Sequence, residues 1–328
     1  MSDIRILPEW APRRALWTAW PSAADLWEGD LEPARDEVAA MVKALAPGER
    51  VRVLASGPEA VASAVGRVGT AKVIEAKFGD IWLRDTGPIF ARDKRKAVAL
   101  GFQFNGWGGK YQLDGDANLA ERVAAEARVE FRPNPFVLEG GAIEMDGEGT
   151  LLTTRQCLLN PNRNADWDEA KAEAALKEAL GVEKVLWLDE GLANDHTDGH
   201  IDNLARFVAP GVIVCQAPYK KDPNAAVLDR IFEALTQMTD AKGRRLRVHR
   251  IPSPGLVLGE DDEAIPASHM NFIIGVKTVV VPIYSDSADE AVRALAPLFP
   301  GRKVVGLSSN AILTGGGSFH CITQQEPS

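Results

Sequence analysis

Three cysteines supply candidate thiol nucleophiles, and their surroundings distinguish them. Cys321 follows the glycine run 315–317, which permits close backbone approach, and it precedes the polar residues 323–325. Cys157 and Cys215 lie in segments that we predict to be strands, where a cysteine is usually a small buried hydrophobe. The absence of a Cys-x-x-Cys pair predicts neither a disulfide framework nor a thiolate zinc site, and it favours a reducing compartment. Taken alone, Cys321 is a candidate nucleophile.

A histidine and a carboxylate two residues apart supply a candidate acid–base pair. His200 and Asp202 belong to the segment DHTDGHID, and on a strand this spacing places both side chains on one face. Such a pair can transfer protons and bind a cation. His196 and His200 are four residues apart, which on a helix would suit a metal. Gly199 and the flanking turn formers disfavour that helix, so we predict no metal site.

Two further acidic residues lie in or next to predicted loops. Another histidine directly precedes the candidate nucleophile. Asp85 follows Arg84 in a loop between apolar segments, and Glu139 precedes two glycines. Each also fits an ordinary role, Asp85 in a solvated ion pair and Glu139 as a turn residue. If Cys321 lies on a strand, His320 points to the opposite face, so we do not predict His320 as the base.

A recurring order of elements positions these residues. Amphipathic stretches predicted to be helical precede short apolar strands, and a polar or glycine-rich loop and a strand pair follow. Helices are predicted at 166–180, 222–240 and 287–299, and strands at 150–159, 185–188, 246–251 and 304–307. Asp222 is the predicted N-cap of the second helix. Hairpins are predicted around Pro210-Gly211 and around Gly275.

The repeated order predicts a closed ring rather than two independent domains. Roughly five units of about 50 to 70 residues share it, and repeats of that length are typical of closed or stacked arrays. In each unit the polar residues follow the inner strand, so a ring would bring these loops together at one end. We therefore predict an α/β fold with a single catalytic domain over residues 1–328. The alternative is an ordinary α/β protein that alternates helices and strands.

Composition narrows the classes of partner. The chain has 328 residues, of which 45% are hydrophobic and 25% charged, so it is globular rather than disordered. Its net charge of −9 argues against broad contact with nucleic acid or anionic membrane, and it tolerates a cationic substrate. An apolar leader and long apolar runs are absent, so we expect a cytoplasmic protein.

Taken together, the motifs resemble the agmatine deiminase family, which includes bacterial peptidylarginine deiminases and lies within the guanidine-modifying enzymes. The matching segments are WPSAADLW (20–27), GDIWLRDTGP (79–88), LEGGAIEMDGEGTLLTT (138–154), DGHIDNLARF (198–207) and GGGSFHCITQQEP (315–327). The resemblance implies a five-bladed α/β propeller of ββαβ-type repeats, a homodimer, and a small cationic guanidino substrate. It also implies that no metal or organic cofactor takes part.

The resemblance carries roles to individual residues. Cys321 matches the nucleophile and His200 the acid–base histidine. Asp85 and Asp202 match the carboxylates that hold the guanidinium, and Glu139 the glutamate that supports the histidine. The implied reaction converts agmatine and water to N-carbamoylputrescine and ammonia through an amidino-cysteine. We further predict substrate contacts from Trp82, His196, Asp198, Asn271 and Gly317.

Two departures from the family pattern leave the substrate open. His196 stands where agmatine deiminases tend to place an aspartate for the distal amine, and Ser318-Phe319 replace the usual Asn-Ile. Asp195 or Asp198 would have to bind the distal amine instead, or the substrate carries a different distal group. Arginyl peptides and other small guanidines are therefore alternative substrates. Amidino transfer, a thiol hydrolase acting on amides and a guanidino-binding protein are alternative functions.

Overall fold

The structure, a computed structural model, describes residues 4–259 and 261–328. Its strands are β1 (Ile4–Arg5), β2 (Arg13–Ala19), β3 (Val51–Ala55), β4 (Lys72–Glu75), β5 (Ile89–Asp93), β6 (Lys96–Gln103), β7 (Glu130–Val137), β8 (Glu144–Met145), β9 (Thr150–Thr154), β10 (Lys184–Leu188), β11 (Ala205–Ala209), β12 (Val212–Ala217), β13 (Arg247–Pro252), β14 (Ile273–Ile274), β15 (Thr278–Ile283), β16 (Lys303–Ser308) and β17 (Thr323–Pro327).

Helices connect most of these strands. They are α1 (Ala24–Trp27), α2 (Leu31–Leu45), α3 (Pro58–Arg67), α4 (Leu83–Thr86), α5 (Gly106–Gly109), α6 (Leu119–Ala127), α7 (Arg155–Leu158), α8 (Glu169–Leu180), α9 (Ala225–Gln237), α10 (Ala288–Leu295) and α11 (Asn310–Thr314). Short 3₁₀ turns occupy Glu28–Asp30, Asp116–Asn118, Gly140–Ala142, Ile201–Asn203 and Ala296–Leu298. None of the described helices is long and apolar enough to span a bilayer.

The strands form small sheets that repeat one pattern. Their orders are β17-β2-β3-β4, β1-β5-β6-β7, β10-β9-β8, β11-β12-β13 and β14-β15-β16. In each sheet an antiparallel pair is followed by a parallel neighbour, as in β5, β6 and β7. A parallel neighbour requires a crossover, which α2, α6, α8, α9 and α10 supply. The predicted mixed α/β fold is confirmed.

Apolar clusters lie between sheets that are neighbours in sequence. Ile89 and Val98 of the second sheet and Leu151 of the third belong to one apolar cluster. A similar cluster joins the third sheet to the fourth, and another the fourth to the fifth. Ile273 of the fifth sheet shares a cluster with Trp17 of the first. Burial of these side chains fixes the sheets relative to one another and holds their loops in place.

The hairpins are confirmed, but several element boundaries differ from the prediction, two of them for a visible reason. The helix predicted at 222–240 spans Ala225–Gln237, because the Asp222 carboxylate accepts hydrogen bonds from the Asn224 amide and the Ser253 hydroxyl instead of capping the helix. The strand predicted at 150–159 ends at Thr154. The Thr154 hydroxyl accepts a hydrogen bond from the Cys157 amide, and Thr154 is therefore the N-cap of α7. The prediction that Cys157 lies on a strand is wrong.

Candidate active site

The Cys321 thiol lies in the turn that leads into β17 and is held by one asparagine. Asn271 Oδ1 accepts the backbone amides of His320 (2.8 Å) and Cys321 (3.1 Å), and its Nδ2 donates to Cys321 Sγ (3.1 Å). Gly317 lies against this turn. A Cβ atom there would stand 2.5 Å from the Trp82 ring, so only glycine lets the loop approach that closely.

Asp202 presents one occupied and one unoccupied oxygen beside the thiol. Its Oδ2 accepts a hydrogen bond from His320 Nδ1 (2.7 Å) and lies 3.7 Å from Cys321 Sγ. Its Oδ1 is buried without a hydrogen-bond partner among the described residues. Burial raises the pKa of Asp202, but the hydrogen bond and charge of His320 lower it further, and the net pKa is below its usual value. Asp202 is therefore an ionised acceptor.

Asp85 is the second buried carboxylate and is fixed from two sides. On the one-turn helix α4, its Oδ1 accepts the Gly141 amide (2.9 Å) and its Oδ2 accepts the indole of Trp107 (2.9 Å). His200 Nδ1 lies 3.8 Å from Oδ2. Burial raises the pKa of Asp85, and the nearby charge of His200 offsets only part of that increase. Indole and amide donors thus fix where this carboxylate points.

His200 is fully buried among acidic neighbours. Burial alone would lower its pKa, but Asp85, the adjoining Cys157 thiol and Glu139 raise it to about 10. The imidazole is therefore protonated at neutral pH. A Cβ atom on Gly141 would meet His200 Nδ1 at 2.5 Å and Asp85 Oδ1 at 3.0 Å, which shows how closely the two side chains surround that glycine. Asp202 Oδ2 would lie 3.2 Å from the same point.

Glu139 is buried beneath the histidine and is held by an arginine. Arg163 Nε donates to Glu139 Oε1 (2.6 Å), and Arg163 Nη1 donates to Asp198 Oδ2 (2.6 Å). Asp198 also accepts from Lys110 Nζ (2.7 Å). Both Asp198 oxygens are thus bonded to basic side chains. One ligand atom each of Glu139, Cys157 and His200 lies within 4.8 Å of the others, a grouping that could hold a metal ion.

A cavity of about 220 Å³ leads to this cluster. Its wall is mainly aromatic and glycine-rich, and it consists of Leu26, Asp80, Trp82, Asp85, Trp107, Tyr111, Leu113, His196, Thr197, Thr314, Gly315, Gly316, Gly317 and Cys321. Both oxygens of Asp80 accept indole hydrogens, from Trp27 (2.9 Å) and Trp82 (2.8 Å). At the mouth the Tyr111 hydroxyl and His196 Nδ1 are 3.0 Å apart.

The electrostatic field at the thiol opposes its ionisation. Burial, and then the charges of Asp202 and Asp85, raise the pKa of Cys321 well above its ordinary value. A cation placed beside these carboxylates reverses the second effect, because opposite charges favour the thiolate. The arrangement therefore suits a reaction in which a positively charged substrate activates its own nucleophile.

The predicted site residues divide into three groups by position. Cys321, His200, Asp85, Asp202 and Glu139 form the buried cluster. Trp82, His196 and Gly317 line the cavity above it. The other two predicted substrate contacts lie outside the lining: Asn271 holds the thiol, and Asp198 holds Arg163.

Sequence reasoning missed several residues that complete the site. Trp107 lies in the GWGG stretch (106–109), where an aromatic between glycines indicates a close backbone approach. His320 was assigned to the opposite face from Cys321. It precedes β17 in a turn, so the strand rule does not apply and its ring reaches Asp202. Arg163 and Cys157 gave no local signal of their contacts with Glu139 and His200.

Fold and site together define an enzyme of the kind that modifies guanidinium groups, with a buried thiol beside two fixed carboxylates and an imidazolium. Residues 5–327 match the family described as Porphyromonas-type peptidyl-arginine deiminase. The chain belongs to this family. The family and hydrolase class predicted from the sequence are confirmed.

Individual relatives agree with that assignment. An agmatine deiminase of Pseudomonas aeruginosa is 38% identical over 98% of this chain and 95% of its own. Among solved structures, the agmatine deiminase of Enterococcus faecalis has a TM-score of 0.93 at 32% identity, covering 99% of this chain and 96% of its own. A putative arginine deiminase from Porphyromonas gingivalis has a TM-score of 0.91 at 34% identity, covering 99% of both chains.

Proposed function

We propose that the protein is a guanidine deiminase that converts agmatine and water to N-carbamoylputrescine and ammonia. The observation that carries this proposal is the pair of fixed carboxylates, Asp85 and Asp202, around the end of the cavity that holds the Cys321 thiol. A guanidinium is a planar cation whose N–H groups pair with carboxylates in two directions. The unpaired Oδ1 of Asp202 is an acceptor available for one of those N–H groups.

Substrate binding and thiol ionisation are one event in this mechanism. The guanidinium charge compensates Asp85 and Asp202, so the pKa of Cys321 falls and the thiol proton leaves to solvent. The carboxylates also hold the positive charge on the guanidinium, which keeps its central carbon electrophilic. The aromatic ring of Trp82 in the cavity wall favours a flat cation over an extended water network.

His200 transfers the protons of both half-reactions. The thiolate forms a bond to the guanidinium carbon, and the imidazolium donates its proton to the departing nitrogen, so the C–N bond breaks and ammonia leaves. An amidino-cysteine and a neutral imidazole remain. The imidazole then removes a proton from water, whose oxygen bonds to the same carbon, and the C–S bond breaks to release a urea product and Cys321.

Glu139 and His320 act through other groups in this scheme. Glu139 lies beside His200 and helps to keep the imidazole protonated, while Arg163 fixes the carboxylate. His320 holds Asp202 by a 2.7 Å hydrogen bond and prevents that carboxylate from turning away from the substrate. Both are positioning residues.

The tail of the substrate would lie against the side chains that line the cavity. The carboxylates among the residues that line the cavity are Asp80, whose oxygens are bound by two indoles, and Asp85. An ammonium group at the mouth would therefore meet the Tyr111 and Trp107 rings and the His196 side chain, a setting for cation–π attraction rather than an ion pair. Arginyl peptides and other small guanidines remain the second class of candidate substrate.

We also propose that the sheets close into a five-bladed propeller that forms one catalytic domain over residues 1–328. Two observations support this arrangement. Apolar clusters join each sheet to the next and join the fifth to the first. The first sheet pairs β17 with β2, so strands from distant parts of the chain complete one sheet.

Ammonia release from purified protein, offered agmatine, free arginine and an arginyl peptide in parallel, tests the reaction. We expect release from agmatine, and its loss in Cys321→Ala and Cys321→Ser. Cys215→Ala is the matched control, because Cys215 is buried in β12 and has no part in the mechanism. Undiminished turnover in the Cys321 variants contradicts the mechanism. Release from another guanidine alone keeps the mechanism and moves the substrate.

A further inference from the structure

A second thiol lies beside the acid–base histidine and is not used in the proposed reaction. Cys157, at the start of α7, is fully buried, as are Glu139 and His200. One ligand atom of each of the three lies within 4.8 Å of the others. The Cys157 thiol adjoins the His200 imidazole, and Asp85 Oδ2 lies 3.8 Å from His200 Nδ1. Glu139 Oε2 is buried and accepts no hydrogen bond from the described residues. Buried polar atoms are nearly always paired, so this free carboxylate oxygen calls for an explanation.

The three donors form a set that suits a thiophilic divalent cation. Thiolate, imidazole and carboxylate together are ligands of Zn²⁺, whereas Mg²⁺ and Ca²⁺ prefer oxygen alone. Arg163 supplies the supporting hydrogen bond, since its Nε donates to Glu139 Oε1 and leaves Oε2 free to bind. The nearby carboxylate of Asp85 adds attraction for a cation.

We propose that Glu139, Cys157 and His200 form a binding site for Zn²⁺ or a similar thiophilic cation. Binding forms one bond from the metal to each side chain and displaces two protons, one from the Cys157 thiol and one from the His200 imidazolium. A site of this kind is inhibitory. The metal occupies the imidazole that must transfer protons, and the nucleophile Cys321 stays free. The inhibition, unlike the binding, rests on the proposed function.

Cobalt absorption tests the binding without any activity measurement. Co²⁺ bound to a thiolate gives a charge-transfer absorption in the near ultraviolet, so the spectrum shows whether sulfur is a ligand. We expect this absorption in the unaltered protein, in Cys321→Ala and in Cys215→Ala, and its loss in Cys157→Ala. Zinc competition against a chromophoric chelator should give one equivalent bound, with at least a tenfold weaker affinity in Cys157→Ala.

The controls separate a lost ligand from a lost fold. Cys157→Ser preserves side-chain size, and circular dichroism and thermal melting establish that each variant is folded. Glu139→Gln should weaken zinc binding while it leaves the cobalt–sulfur absorption in place. The proposal is overturned if the unaltered protein binds neither ion, or if binding depends on Cys321 and survives in Cys157→Ala. The second result would place the metal on the nucleophile.

Discussion

Replacement of Asp202 by asparagine should make the nucleophile more reactive while it abolishes turnover. Asp202 Oδ2 lies 3.7 Å from Cys321 Sγ, and its charge contributes to the raised pKa of that thiol. Two unit charges about 4 Å apart repel by about 4 kcal/mol at an effective dielectric constant of about 20. Because ~1.4 kcal/mol is a factor of ten, removal of this charge increases the thiolate population by at most about a thousandfold at fixed pH.

The assay compares two rates in the same preparation. Alkylation by iodoacetamide in the absence of substrate, followed by peptide mass spectrometry, reports the thiolate at Cys321, and ammonia release reports turnover. In Asp202→Asn we expect alkylation to be about ten- to a thousandfold faster. Turnover should fall at least about a hundredfold, because the guanidinium loses a charge-assisted partner. Cys157 and Cys215, which are fully buried, serve as internal references.

A matched variant separates local charge from general loosening of the fold. Asp116 is a buried aspartate whose carboxylate accepts the Gly79 amide rather than facing the thiol. Asp116→Asn should leave the alkylation rate of Cys321 near that of the unaltered protein. If Asp202→Asn alkylates no faster than the unaltered protein, the reasoning is refuted, and Asp202 does not hold the thiol in its protonated form.

Three further predictions concern Gly141, the protonation of His200 and the mouth of the cavity, and Gly66 serves as a control for Gly141. Gly141→Ala should lower kcat at least about a hundredfold, since the new Cβ meets His200 Nδ1 at 2.5 Å. Gly66→Ala, in α3 with open space around it, should raise stability by about 0.5–1 kcal/mol in thermal melts and leave kcat unchanged. Because the pKa of His200 is raised to about 10, kcat should fall above about that pH. Glu139→Gln should move this decrease in kcat to lower pH, because Glu139 contributes to the raised pKa of His200. A pH profile that does not move excludes Glu139 as a cause of the raised pKa. His196→Asp should raise kcat/KM for agmatine relative to butylguanidine at least about tenfold, by a carboxylate–ammonium pair, and equal ratios exclude tail recognition at this position.

The chemistry-bearing loops could be predicted because each carries its own local signal. Cys321 follows a glycine run, and the HxD spacing of His200 and Asp202 is visible without the fold. The repeated order of elements predicted that these loops come close together, since similar loops in a ring would face the same end. The expected strand geometry of His200 and Asp202 was wrong: Ile201–Asn203 is a 3₁₀ turn. Asp202 still meets the thiol and His200 still faces Asp85, because loop conformation, rather than strand alternation, directs both side chains.

The contacts between sheets could not be predicted, since they depend on packing between distant segments. Cys157 lies in a segment that the sequence predicts to be a strand, where a cysteine is usually a buried hydrophobe, yet the cap formed by Thr154 begins a helical turn that places it beside His200. Asp198 sits in the acidic segment expected to bind substrate, but Arg163, 35 residues away in sequence, pairs with it. Side-chain pairing across that distance depends on the fold and produces no repeating pattern in the sequence.

The pair of carboxylates beside Cys321 also bears on how the protein withstands oxidants. Peroxides and related agents attack the thiolate far faster than the thiol, and further oxidation to the sulfinic acid is irreversible. A resting enzyme whose thiol is kept protonated by Asp85 and Asp202 is therefore a poor target for them. Reagents that bring their own positive charge, such as haloamidines, carry with them the countercharge that ionises the sulfur. The two residues proposed to bind the substrate would thus also determine which covalent modifiers react with the enzyme.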